Sequence, residues 1–393
     1  MRKVILIPDS FKGTLSSATA GAIMAEQVRR FFPAAERIVI PVADGGEGTV
    51  AAFLAAVGGE AIEFVGQDPY GVPLTSTYAI LPDGAAVVEL AASAGLTLID
   101  EAERNPELTT TYGVGMQIRD AIERGCRRIL VGLGGSATND LGVGAAAACG
   151  LKFYDADGRE FLPTGGNLER IARIDAAAAR RLLDGVEVVA ICDITNPLYG
   201  ESGAAYVFAP QKGADPEMVA RLDRNLRWAA DVIKRELGID IAAMPGAGAA
   251  GGAGGGLAAF FGAELRSGID VLLDTVGFED LLTDCDAVFT GEGRVDGQTL
   301  GGKAVLGVAR RSKARGVPVI VVAGDLPEIS ATETADAEVG LEALYEAGVT
   351  AMFSINRQAR DFVAVRHKSA SNLAATMAAI LRVWQIVSSG QGN

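Results

Sequence analysis

The hydrophobic positions of this chain fall into short solid runs separated by longer amphipathic stretches, the rhythm of buried parallel strands alternating with helices. Val4-Ile5-Leu6-Ile7-Pro8 is the first run. The segment after it carries Ala20, Ile23, Met24, Val28 and Phe31 on one helical face, with Ser16 or Ser17 as its cap. Ile38 to Val42 predicts a second strand. After Gly58-Gly59 the texture changes to β-like segments, Ala61 to Val65, Leu74 to Ile80 and Ala85 to Glu89, broken by Asp68-Pro69-Tyr70-Gly71 and Pro82-Asp83-Gly84. A helix over Met116 to Glu123 leads to a strand over Ile129 to Leu133, a small-residue helix over Gly142 to Leu151 and a strand over Val186 to Ile191. Asp215-Pro216-Glu217 opens a helix that continues to about Leu237, with Leu222, Leu226, Ala229 and Ile233 at helical spacing. The opening rhythm then resumes with strands at Ala287 to Thr290, Val317 to Ala323 and Val349 to Ser354, and Ser369 to Val383 is a closing helix.

This pattern predicts an α/β protein of two domains, which suits 393 residues. A flavodoxin-like open parallel sheet is formed by both chain ends, residues 1–60 and 286–393, and a second α/β domain, residues 61–285, is inserted between them. The formal net charge of −14 argues against a nucleic-acid-binding surface and for small-molecule partners. Four cysteines, Cys126, Cys149, Cys192 and Cys285, lack the close pairing of a zinc knuckle or redox motif and read as reduced, buried small hydrophobes. The single histidine, His367, rules out a multi-histidine metal site and sits in a basic run, so acid–base work falls to carboxylates and lysines. Met1-Arg2-Lys3 leads directly into the first strand without a signal-peptide core, and the uncharged stretch Ile241 to Ala263 is too glycine-rich for a membrane span. Both point to a cytoplasmic protein away from membranes. Monomer and homodimer stay open.

Each predicted strand delivers polar residues at its carboxyl end, where open α/β sheets place their ligands. The stretch Ile129 to Gly144 joins a strand to a glycine-rich turn. Glycines at 134 and 135 let backbone N–H groups approach an anion, and Ser136 or Thr138 could cap a helix through Asn139 and Asp140 whose amino end favours phosphate. Gly134 to Asn139 is thus a candidate phosphate cradle, with ordinary turn chemistry as its rival. The tract Gly246 to Gly256 reads as a loop, either a second cradle or a hinge or lid. Gly297 to Ala304 misses the P-loop pattern because Ala304 stands where a Mg²⁺-binding hydroxyl is required. Lys303 is then a phosphate contact or an exposed helix-start lysine. Lys12, in a glycine-flanked turn, suits phosphate or substrate carboxylate, or else a salt bridge to Asp9. Asp193 is a catalytic carboxylate or a cap, with Asn196 placed to share a metal with it. Glu292 and Asp296 flank Arg294, as Mg²⁺ ligands or local ion pairs.

Phosphoryl transfer needs a cradle, a cation, carboxylates for Mg²⁺ and a carboxylate to accept a hydroxyl proton. The chemistry assigns nucleotide phosphates to Gly134, Gly135 and Ser136, with Thr138, Asn139 and Lys303 nearby and Lys12 adding charge. Glu292 and Asp296 serve Mg²⁺, Asp193 takes the hydroxyl proton, and Asp44 orients the acceptor. A Mg²⁺-dependent phosphatase or mutase using the same carboxylates without a nucleotide is a rival, as is a two-lobed solute-binding protein.

Asp-Ser-Phe-Lys-Gly-Thr at 9–14, Ala-Asp-Gly-Gly-Glu-Gly-Thr at 43–49, Gly-Leu-Gly-Gly-Ser-Ala-Thr-Asn-Asp at 132–140 and Cys-Asp-Ile-Thr-Asn-Pro-Leu-Tyr-Gly at 192–200 resemble the bacterial glycerate kinases of the glycerate 2-kinase type. So do Phe-Ala-Pro-Gln-Lys-Gly-Ala at 208–214, the tract from Pro245, and Thr-Gly-Glu-Gly-Arg-Val-Asp-Gly-Gln-Thr at 290–299. The resemblance implies ATP-dependent phosphorylation of D-glycerate at the 2-hydroxyl, or with 3-kinase regiochemistry, aided by Mg²⁺. It implies two α/β domains, one inserted in the other, with the site in the cleft between them. The sequence departs from the family at Leu141, where glycine is more usual.

Overall fold

The computed structural model describes residues 1–43, 45–295, 304–326, 342–358 and 362–390. Asp44, Asp296 and Lys303 lie outside the described residues. In chain order the strands are β1 (Lys3–Pro8), β2 (Glu36–Val39), β3 (Glu60–Gln67), β4 (Pro73–Ile80), β5 (Ala86–Glu89), β6 (Arg128–Gly132) and β7 (Lys152–Tyr154). They continue with β8 (Glu160–Phe161), β9 (Arg173–Asp175), β10 (Glu187–Ile191), β11 (Glu264–Arg266), β12 (Ala287–Gly291), β13 (Val319–Ala323) and β14 (Val349–Ser354).

The chain divides into two compact units, Met1–Ala43 with Gly268–Asn393, and Asp44–Ser267. The division falls earlier at both junctions than the sequence pattern suggested, at 43/44 and 267/268 rather than 60/61 and 285/286. The helix Thr49–Val57 therefore belongs to the second unit. Its Val50 N–H donates to Glu89 Oε1 at 2.6 Å, and a side chain on Gly59 behind it would strike the Ile80 carbonyl.

In the first unit all five strands are parallel, in the order β2-β1-β12-β13-β14. That is the flavodoxin-like arrangement, whose strand order reverses between β1 and β12. The strands alternate as a sheet covered on both faces must. Ile320 and Val322 join Val4, Leu6, Phe289 and the helices Ser17–Phe31 and Ser369–Gly390 in one core, while Val321 and Ala323 join Val305, Leu306 and Ala309 in another. Ser16 caps the first helix by accepting from Thr19 N–H. Ser17 does different work, donating to Pro8 O and accepting from Val42 N–H, both at 2.7 Å, which ties the helix start to the ends of two strands. The stretch Arg366–Val387 is long and apolar enough to cross a membrane, yet Leu373, Met377 and Leu381 on one of its faces are fully buried in this core. His367 sits exposed in the turn Arg366–Lys368 before that helix.

The second unit holds a six-stranded sheet, β11-β10-β6-β5-β4-β3, parallel from β11 to β5 and antiparallel beyond, with a small sheet β8-β7-β9 beside it. The helix Pro216–Leu237 begins and ends where its sequence dictates. Asp215 accepts from Met218 N–H at 2.8 Å and Gly238 closes it in the left-handed conformation. Cys126 and Cys149 are buried free thiols; Cys192 and Cys285 are only half-buried because each follows or precedes a strand end.

The glycine tract departs from expectation. It runs through turns into a buried helix, Ala253–Phe261, and its glycines are there for space. A Cβ on Gly256 would lie 1.8 Å from Leu141 O, and one on Gly251 would lie 2.1 Å from Thr138 O. The tract is a packed wall behind the Thr138–Leu141 turn, which leaves it no freedom to serve as a lid.

Candidate functional site

In the second unit, three turns meet at the carboxyl ends of β6 and β10. Gly132 and Gly134 pack face to face with the Gly45-Gly46 turn, where added Cβ atoms would lie 2.6 Å from Gly45 O and 2.4 Å from Gly46 Cα. Gly45 in turn rests on Ile191, the last residue of β10, whose carbonyl would lie 2.9 Å from a Cβ there. Only glycine allows backbone to approach backbone this closely. The Gly45-Gly46 turn and the Gly132-Gly134 turn thus pack as one structure against Ile191, the end of β10.

The cradle is narrower than the sequence suggested. Gly134 N–H is committed to Gly45 O at 2.9 Å, and Ala137 N–H to Ala94 O at 2.8 Å. Between them the amides of Gly135 and Ser136 have no acceptor among the described residues. Gly135 is exposed, with φ at +74°, and Ser136 is nearly buried. Thr138 and Asn139 lie fully buried beneath the turn. Thr138 Oγ1 and both amide atoms of Asn139 have no hydrogen-bond partner there, an unusual cost for a protein interior.

Neither Ser136 nor Thr138 caps a helix. The next helix is the short Val143–Ala148, with Gly142 as its N-cap and no side-chain cap. Its amino end is already taken by Asp140, whose buried carboxylate accepts from Gly142 N–H at 3.1 Å and Gly144 N–H at 3.3 Å. The same carboxylate takes Thr111 N–H and Thr111 Oγ1, each at 2.8 Å. The helix dipole therefore serves an internal carboxylate rather than a phosphate. Burial pushes the Asp140 carboxyl upward, against these four donors that favour its charged form. Leu141, the residue that departs from the family pattern, takes φ +57° and is fully buried: a left-handed position that glycine fills without strain, held by core packing.

Sequence reasoning missed Lys212. It is 2% exposed, and its ammonium donates to Ser136 Oγ at 2.8 Å and to Thr138 O at 2.6 Å. Burial lowers its pKa to about 7, with the Asp140 charge opposing that shift. The available signal was a lysine within the Phe208–Ala214 segment, already noted for its family resemblance and otherwise without charge.

Asp193 follows β10 directly, in the same unit as the glycine turn and half-buried. Asn196 is occupied otherwise: its side-chain nitrogen donates to Ser202 O at 2.8 Å, and Gly248 N–H donates to its backbone carbonyl.

The first unit has its own rim at the β1/β12 switch point. Phe11 is buried and pairs through its backbone with Leu15, which leaves Lys12 exposed at the tip of a tight turn. Lys12 forms no ion pair among the described residues. The turn after β12 packs against it: a Cβ on Gly293 would lie 3.1 Å from Lys12 N. Gly324 after β13 packs on Gly293 in the same way, with Gly324 N–H donating to Glu292 O at 3.0 Å. Glu292, 6% exposed, sits inside this stack, while Arg294 pairs with Asp325 at 3.2 Å on the surface. Of the two expected Mg²⁺ ligands only Glu292 is described, and no cluster of three metal-binding side chains occurs among the described residues.

Comparison with known proteins points to one family. The model of the glycerate kinase family matches residues 4–385. A glycerate kinase of Bacillus subtilis is 42% identical over 354 residues, covering 90% of each chain. The glycerate 2-kinase of Escherichia coli is 41% identical over 354 residues, again 90% of each. A crystal structure of a candidate glycerate kinase 2 from Salmonella typhimurium LT2 superposes with a TM-score of 0.84 at 36% identity, covering 99% of both chains. With the family model matched from end to end and relatives at about 40% identity, the chain belongs to the glycerate kinase family.

Proposed function

We propose that this protein transfers the γ-phosphoryl group of ATP to the 2-hydroxyl of D-glycerate. Family membership supplies the reaction class, and the E. coli relative, a glycerate 2-kinase at 41% identity, favours the 2-position over the 3-position. The observation in the fold that carries the reading is the pair of amides at Gly135 and Ser136, without an acceptor among the described residues and set over the buried Lys212 side chain. Donors of this kind suit the oxygens of a polyphosphate.

Gly135 and Ser136 bind the nucleotide's phosphates, with Gly134, Thr138 and Asn139 shaping the turn from behind. Lys12 and Lys303 supply further positive charge. Asp44 orients the glycerate, and Asp193 accepts the proton of the attacking hydroxyl as its oxygen bonds to phosphorus and the bond to the β–γ bridging oxygen breaks, leaving ADP. Glu292 and Asp296 offer carboxylate oxygens of the kind Mg²⁺ prefers, and the bound ion would neutralise charge on the transferring group. The enzyme is placed in the cytoplasm, where ATP and free glycerate meet.

Incubation with ATP and D-glycerate, read by ADP release, tests the activity. Phosphorus–proton correlation on the product distinguishes 2- from 3-phosphoglycerate. No ADP release above that with ATP alone would overturn the assignment, and a 3-phosphoglycerate product would overturn the regiochemistry.

A further inference from the structure

The buried ammonium of Lys212 is expensive. Removing a lysine charge from water is costly unless its donors are met, and a methionine would fill the same slot without that cost. Two acceptors meet the ammonium here, Ser136 Oγ and Thr138 O, and both belong to the glycine turn 74 to 76 residues away in sequence. In its charged form Lys212 can only donate, which fixes the direction of the first bond. Ser136 Oγ must accept, so its own hydrogen is left for another acceptor, and the charged donor behind it strengthens that donation. No described protein group takes it.

We propose that Lys212 is a positioning residue: by gripping Ser136 Oγ and Thr138 O, it fixes the Ser136 hydroxyl as a third donor beside the Gly135 and Ser136 amides, aimed at an anionic phosphate oxygen of the nucleotide. This inference rests on the reading that the turn holds the nucleotide's phosphates. Lys212 itself is too deeply buried to reach the phosphate and acts through Ser136.

The test uses the full-length chain as K212M, S136A and the double variant. Thermal melts establish folding, steady-state kinetics give kcat and KM for ATP, and hydrogen exchange follows the peptide across residues 132–140 with and without ATP. K212M should melt cooperatively yet raise KM for ATP about tenfold, the effect of losing one charge-assisted hydrogen bond. The double variant should be no worse than S136A, because Lys212 acts through Ser136. A wild-type KM for ATP in K212M, or single effects that multiply in the double variant, overturns the proposal. Should K212M fail to melt cooperatively, S136A decides alone: an unchanged KM for ATP refutes it. The exchange measurement separates this proposal from the proposed reaction. ATP should slow exchange at residues 135–136 in the wild type and not in K212M, whichever acceptor is phosphorylated; equal protection in both counts against Lys212 even if the glycerate assay succeeds.

Discussion

The two units place polar residues at the carboxyl ends of parallel strands, but they present them differently. The first unit, apart from the buried Glu292, shows charged side chains to water. Lys12 stands on an exposed turn, and Arg294 and Asp325 are 70% and 56% exposed. The second shows main chain. Its Gly135 and Ser136 amides lie over a buried layer in which Asp140 and Lys212 are wholly enclosed. An exposed charge contributes through long-range attraction that salt screens, and contributes little to stability. A buried charge fixes geometry, and disturbing it is costly. The first rim is therefore read as the place for attraction and exchange of ligands, the second as the place for exact orientation.

The largest effect that would sharpen this contrast is expected at Asp193, on the second unit. Asp193→Asn should lower kcat by about 10²–10⁴, the range for a lost general base, while ATP affinity is retained. Turnover near the wild-type value would remove Asp193 from the chemistry and leave the orienting role to the turn alone. Next comes a comparison of two glycines. Gly256→Ala sets a methyl 1.8 Å from Leu141 O, and both partners are backbone, so it should cost about 3 kcal/mol or more in a denaturant melt. Gly13→Ala, at φ +76° with open space around it, should cost only about 1 kcal/mol, the price of a left-handed alanine. Equal costs would mean that the packing behind the second rim is looser than its geometry implies.

These sites also show what the sequence makes legible. Strands β5 and β14 and the helix Pro216–Leu237 follow from local pattern, because solid apolar runs and an Asp-Pro start with a Gly stop are decided within a few residues. The flavodoxin-like order of the first unit follows from the same rhythm. The glycine tract could not be read this way. A flexible loop and a close-packed helix share that composition, and only Leu141 O and Thr138 O, about a hundred residues earlier, decide between them. Asp140 looked like part of a phosphate-binding helix start, whereas its carboxylate folds back and occupies those amides itself. The burial of Lys212 was invisible for a related reason: sequence shows a lysine, and only the tertiary fold shows that Ser136 and Thr138 enclose it.

A smaller effect distinguishes the buried layer by pH. Lys212 has a folded pKa of about 7 against 10.5 for a free lysine. Between those values the unfolded chain holds a proton that the folded chain has released, so the contribution of this residue to stability rises with pH across that window. The buried thiol of Cys149, raised to about 12, works in the opposite direction as the unfolded thiol ionises. Comparing wild type with K212M from pH 7 to 10 isolates the lysine, since both share every thiol. The wild type should gain melting temperature relative to K212M as pH rises. A constant difference would mean that the ammonium stays charged throughout, with Asp140 as its fully ionised counterpart.

The smallest effect is expected on the exposed rim. Arg294→Ala breaks an ion pair whose partners are 70% and 56% exposed, and such pairs contribute about 0–1 kcal/mol, with salt reducing even that. Stability should change by no more than a few tenths of a kcal/mol, and the change should vanish in high salt. Any loss for this variant should instead appear in KM, because Arg294 lies beside the Lys12 turn, the place proposed for meeting ligand charge. The paired change Lys12→Glu should raise KM for ATP or glycerate more strongly, again with an unaltered melt. If Arg294→Ala instead lowered stability by 2 kcal/mol or more, the first rim would be holding its fold together with its charges, and the division of labour between side-chain and main-chain rims would fail at its exposed end.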